Sequence, residues 1–281
     1  MAWFNRGPVV PVLRLSGAIG MVAPLRPGLS IATLAGPIEK AFSMSRERSV
    51  ALIVNSPGGS PVQSSLLFQR LRQLAKEKDK RIYVFCEDVA ASGGYYVAMA
   101  GDEIYADASS IVGSIGVISA GFGLDRAIER LGISRRVHTS GTYKGALDPF
   151  QPEKPEDVER LKAIQRSVHD VFIGVVKERR LGRLKGPDTE LFSGAFWSAA
   201  EALDLGLIDG ISDVRTKMRE IHGDNVRLRV VPMGRGWLAS RLRRLPSVSS
   251  IAGGEPALSL AFADEVVSAV EIRALWSRFG L

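Results

Sequence analysis

The strongest constraint on the fold is a local pattern that occurs twice: a continuous apolar run, a turn of small residues, then a helical segment. Val50–Val54 closes on Asn55-Ser56-Pro57-Gly58-Gly59-Ser60, and Val62–Glu77 comes next with Leu66, Leu67, Leu71 and Leu74 on one side of a helix. Arg81–Cys86 leads to Ala90-Ala91-Ser92-Gly93-Gly94-Tyr95-Tyr96, with a short helix over Ser92–Ala100. A short apolar run that stops at a Gly/Pro turn reads as a buried strand. Val9–Leu15, Glu103–Ala106, Ser114–Ile118, Ser134–His138 and Val226–Val231 are further expected strands. Ser30–Met44, Leu124–Leu131, Glu156–Arg180 and Ala199–Leu205 are expected helices. Strands alternating with helices predict an α/β fold, with βαβ units stacked into a mostly parallel sheet wound with helices.

The chain changes character after Gly234, which divides it into a body over 1–234 and a basic amphipathic helical tail over 235–281. Trp237–Leu245 is short, basic and amphipathic, Ser247–Gly254 is a linker by composition, and Leu258–Phe279 is a second amphipathic segment. The tail is expected to pack on the body or on a neighbouring subunit, with contact at a membrane surface as the sharper alternative.

Composition narrows the function classes. Apolar residues make up 46% of the 281, which argues against disorder. The net charge of +7 would suit anionic lipid, but a solvated basic surface accounts for it equally well, and nucleic acid is not an expected partner. The start of the chain has no apolar signal segment. The uncharged stretch between Asp107 and Asp125 is 17 residues with four Gly and four Ser, short of the ~20 apolar residues of a span. A cytoplasmic protein, or one peripheral at the membrane, is therefore expected. The single cysteine, Cys86, lies in an apolar run and excludes an intrachain disulfide.

No metal or cofactor motif is present: His138, His169 and His222 have no ligand spacing, and there is no P-loop or GxSxG elbow. The two glycine turns are the positive signals. Glycine lets the backbone take positive φ and aim its N–H groups at negative charge, which is what a tetrahedral oxyanion requires. Ser92, set among small residues where strand passes to helix, is a candidate nucleophile; the plainer role for a serine there is a helix N-cap. A serine nucleophile needs a base. Lys144 stands in Gly141-Thr142-Tyr143-Lys144-Gly145, whereas the other lysines mostly lie in charged runs such as Lys76–Lys80. Burial can bring a lysine from about 10.4 toward neutral pH, where it accepts a proton. His138 is a reserve base.

Several motifs in order resemble the signal peptide peptidase A (SppA) and SohB family: Asn55–Ser60, Ala91–Tyr96, Gly113-Ser114-Ile115-Gly116-Val117, Thr142–Gly145 and Trp197–Gly210. The resemblance covers roughly residues 9–215, and the Ser92-to-Lys144 separation of 52 suits single-domain members. It implies a ClpP/crotonase-like fold, Ser92 and Lys144 as a catalytic dyad, Gly93 with Gly58 or Gly59 as oxyanion donors, and Ser114 orienting the lysine. It also implies a homo-oligomeric ring or dome acting without cofactor on short, unfolded or apolar peptides, and leaves open whether the dyad is completed within one chain or by adjacent subunits. The family's N-terminal membrane anchor has no counterpart here, which leaves signal-peptide remnants in doubt as the substrate. A crotonase-type acyl-CoA enzyme and a non-catalytic peptide-binding scaffold are the rival readings.

Overall fold

The computed structural model describes residues 7–20, 28–233, 270 and 272–281. The elements run β1 (Val9–Ser16), α1 (Ile31–Ser43), β2 (Ser49–Ser56), α2 (Pro61–Glu77), β3 (Arg81–Ala91), α3 (Gly93–Ala98), β4 (Glu103–Ala106) and β5 (Ile111–Gly113). Next come α4 (Asp125–Arg130), α5 (Pro155–Arg179), α6 (Asp188–Leu191), β6 (Phe196–Ser198), α7 (Ala199–Asp204), β7 (Gly210–Ile211), α8 (Val214–His222) and β8 (Arg227–Val230). The basic segment 237–245, the linker 247–254 and most of 258–279 lie outside the described residues.

The strands form one sheet in the order β6-β5-β3-β2-β1-β8, with β4 also paired to β3 and β7 to β4. Every pairing is parallel except β5 with β6. The predicted α/β class and mostly parallel sheet are therefore observed. β3 is longer than its apolar run suggests, because it serves two neighbours in succession. Its first half pairs with β4 (Tyr83–Cys86 against Glu103–Ala106), and its last residues pair with β5 (Val89–Ala91 against Ile111–Gly113). Between them the β2–β3 register shifts, Val54 opposing Cys86 and Ser56 opposing Ala90. Such an irregularity bends the strand and re-aims the residues beyond it. Ser92 lies just beyond this irregularity.

Two expected strands are corrected. Pairing falls on Ile111–Gly113, not Ser114–Ile118, because Ser114 takes φ +52 and leaves the extended line, while its N–H goes to Ala195 O at 2.7 Å. Ser134–His138 forms no strand and is exposed throughout, on a stretch that buries no side chain and so gains nothing from strand pairing. β6, β7, α6 and α8 are too short or too polar to have been read from periodicity.

The core lies mainly on one face of the sheet. Leu13, Leu15, Leu52, Val54, Ile82 and Val84 point into it, and α2 covers it with Leu67, Leu71 and Leu74 at helical spacing. Each buried leucine contributes about 1.5–3 kcal/mol of apolar transfer. Leu66, expected on the same stripe, is exposed and turned toward a surface cavity. The opposite face (Val12, Ile53, Phe85, Tyr105) packs on Met218 of α8, a helix started by its N-cap, Asp213, whose carboxylate accepts from Arg215 N and Thr216 N. Residues 118–156, by contrast, include no buried residue. No described helix is long and apolar enough to cross a membrane.

Candidate active site

The two small-residue turns meet. Ser92 stands between β3 and α3 with φ +52 and ψ −123. This backbone region costs a non-glycine residue on the order of 1–3 kcal/mol and persists only where the surroundings enforce it. Here Ser92 N donates to Gly113 O at 2.8 Å, and Ser92 O accepts from Tyr96 N at 2.9 Å. The Gly58–Gly59 turn presses on the other side: a Cβ at Gly58 would lie 2.8 Å from both Ser92 Cβ and Gly93 N. Although Ser92 occupies the N-cap position, its hydroxyl makes no capping bond. The N-cap role open to it in the sequence is thus not the one it fills.

The turn is held by Ile19, whose N–H donates to Gly58 O and whose carbonyl accepts from Ser60 N, both at 2.8 Å. With Gly59 at φ +139, a Cβ there would lie 2.1 Å from Ile19 O, so only glycine fits. The two glycines differ in what their N–H groups do. Gly58 N donates to Ser56 Oγ at 3.2 Å, whereas Gly59 N has no partner among the described residues. Gly59 and Gly93, but not Gly58, line a cavity of about 380 Å³ together with Ser92. Its other walls are largely apolar: Val62, Leu66, Val117, Val168, Val171 and Phe172.

The far end of α3 is fixed by cations. Arg72 Nη1 donates to Ala100 O (3.0 Å) and Asp102 (2.8 Å), and Arg179 donates to Met99 O (3.0 Å) and Gly101 O (2.8 Å). Positive groups at a helix C-terminus satisfy its free carbonyls. Burial, and then Arg72 alongside, hold the Arg179 guanidinium below its ordinary pKa. Tyr96 of α3 packs on Phe172 of α5, with ring centroids 4.9 Å apart. Sequence reasoning missed this support, and also Ser64, fully buried behind Gly93. The 168/171/172 spacing on α5 was the one available signal for the cavity wall.

Ser114 is buried and shares the φ of Ser92. The register that pairs Ala91 with Gly113 puts Ser92 and Ser114 immediately past the ends of adjacent strands. Lys144 is not brought to them within one chain. It sits exposed on the turn over residues 142–147, its N–H bonded to Gly141 O at 3.2 Å. Its amine has no hydrogen bond among the described residues, and it does not line the Ser92 cavity. His138 is exposed on the same excursion. His169 donates Nε2–H to Ile115 O at 3.0 Å, and His222 bonds Ser49 Oγ at 2.9 Å. Cys86 is fully buried, and burial pushes its thiol up to about 12, so it is no nucleophile. Among the described residues no cluster of metal-ligating side chains occurs.

A mostly parallel sheet whose longest strand ends in a strained serine, beside glycine N–H groups at an apolar cleft, has the parts that acyl-transfer hydrolysis uses. Comparison with known proteins agrees. Residues 74–226, more than half of the chain, match the description of peptidase family S49, and the chain belongs to that family. It is 32% identical over 218 residues to the chloroplastic serine protease SPPA of Arabidopsis thaliana, covering 71% of this chain and 32% of that protein. It is 32% identical over 185 residues to protease 4 of Haemophilus influenzae, covering 64% and 29%. A protein named Na(+)/H(+) antiporter NhaA from Brucella abortus is 51% identical over 275 residues, covering 97% of this chain and 37% of that protein. The chain thus spans about a third of the length of these curated relatives. The antiporter name describes a protein most of which lies outside the match.

Proposed function

We propose that the chain is a serine endopeptidase of Ser/Lys dyad type, acting without cofactor on short, unfolded or apolar peptides. Ser92 attacks the peptide carbonyl, Lys144 takes its proton and returns it to the leaving amine, and water releases the acyl-enzyme. Gly59 N–H and Gly93 N–H receive the oxyanion. Gly58 is set aside because its N–H is already spent on Ser56 Oγ. Ser114 holds the lysine amine. The observation that carries the reading is Ser92 itself: strained, uncapped, and at an apolar cleft beside a glycine N–H that has no partner among the described residues.

Among the described residues nothing brings Lys144 to Ser92 or shields it from water, and a lysine acts as a base only when desolvated, so the dyad needs a further surface to close over Lys144. The excursion that bears it supplies a motive for association. Ile118, Phe122, Leu131 and Ile133 are exposed there, and Phe122 is 85% accessible. A patch of that kind marks a protein interface. We assign it to a second copy of this chain, in a ring or dome, with Lys144 of one subunit entering the Ser92 cleft of the next.

The test is complementation. Ser92→Ala and Lys144→Ala are each expected to abolish cleavage of a fluorogenic apolar peptide. Mixing the two variants under conditions of subunit exchange should restore activity. Activity persisting in either single variant would remove the dyad, and two inactive variants that never complement would confine it to one chain.

A further inference from the structure

The last residues of the chain return to the back of the strand that ends at Ser92. Residues 272–277 are helical. Phe279 is 7% exposed and clusters with Val89 and Ala91 of β3, with Ile111 and Trp276 packed against them. Its ring meets that of Phe196 edge-on, with centroids 5.2 Å apart. Phe196 is in register with Gly113, and Gly113 with Ala91. Side chains alternate across a strand, so Val89 and Ala91 face away from the main core that receives Ala90. None of these residues lines the Ser92 cleft.

Ala91 is therefore gripped from two sides. In front lies the Gly58 turn, so close that a Cβ at Gly58 would stand 3.0 Å from Ala91 O. Behind it lies Phe279. A strained residue such as Ser92 keeps its geometry only while its neighbours cannot relax, and Phe279 packs against Ala91 on the face away from the main core.

We infer that the C-terminal residues are a brace for the nucleophile. Val89, Ala91, Ile111 and Phe196 form an apolar site whose ligand is an aromatic peptide, the chain's own segment around Trp276 and Phe279, and Phe279 is a positioning residue for Ser92. The activity readout rests on Ser92 being the nucleophile; occupancy of the site does not.

The test uses the full-length Phe279→Ala variant. Its kcat and its rate of labelling by a fluorophosphonate probe should fall about tenfold with KM nearly unchanged. A synthetic peptide of residues 270–281 should restore both saturably, and the same peptide carrying Phe279→Ala should not. Phe279→Leu, which keeps the apolar wedge, should stay close to the parent. Unchanged kcat in Phe279→Ala, or a loss that the peptide cannot rescue, overturns the inference. Should the parent cleave nothing, the proposed function fails while the brace is still readable by binding. In a Ser92→Ala background, fluorescein-labelled 270–281 should bind the Phe279→Ala chain more tightly than a chain whose own Phe279 fills the site. Equal binding, or none, overturns it.

Discussion

Gly93→Ala tests whether the cleft is held as tightly as its geometry indicates. A methyl at this position would lie 2.4 Å from Ser64 Oγ, about 1 Å inside ordinary contact, and 3.3 Å from Gly59 N. Ser64 is fully buried and its hydroxyl donates to Ser60 O at 2.9 Å, so it cannot swing aside without breaking that bond. The added methyl must instead push the start of α3, and Ser92 with it, away from the Gly59 turn. Overpacking of this kind costs about 1–3 kcal/mol. Displacing a nucleophile by ~1 Å costs roughly 100-fold in turnover. Ser64→Ala removes the obstructing atom at the loss of one hydrogen bond, about 1 kcal/mol. Urea unfolding monitored by tryptophan fluorescence, with initial rates on a fluorogenic peptide, completes a double-mutant cycle. The double variant is expected to recover both stability and rate relative to Gly93→Ala, with a coupling of about 1–2 kcal/mol. Strict additivity of the two substitutions would refute the steric argument.

Asp213→Ala should cost about 1 kcal/mol through loss of the α8 N-cap. Bonds from the Thr216 hydroxyl above all, and from the Thr216 and Arg215 N–H groups, hold the Asp213 carboxyl below its ordinary pKa. Its contribution is therefore complete above the unfolded value near 3.9 and is lost as pH falls through the lower folded value, so the stability gap to Asp213→Ala should close on acidification in urea melts. Cys86 should resist DTNB at pH 8 in the native protein and react on unfolding, since burial holds its thiol near 12; rapid native reaction would contradict its burial. Phe122→Glu should shift sedimentation toward smaller species and lower peptidase activity together, because the same excursion bears Lys144; a change in only one would separate assembly from catalysis.

Much of the fold was legible because the signals are local. Runs such as Val50–Val54 end at glycine turns, helices such as Pro61–Glu77 show apolar spacing, and Ser92 among small neighbours marks where strand gives way to helix. The errors arose where partners are distant in sequence. Ser114–Ile118 has strand composition, yet pairing stops at Gly113 because Ala195 takes the Ser114 N–H. Ser134–His138 has strand composition too, but it is exposed and pairs with none of the described strands. Leu66 fits the α2 stripe by spacing and faces the cleft instead.

The amino-acid sequence alone determined the class of fold, the two glycine turns and the residue types that face each other there, because each arises from backbone freedom and periodicity within a few residues. Tertiary structure decided which N–H is left free, that Ser92 is strained rather than capping, that Lys144 stands away from it within one chain, and that Phe279 backs the strand. Those outcomes depend on which distant segment fills the space beside each group. Backbone propensity carries no record of that, and packing supplies it.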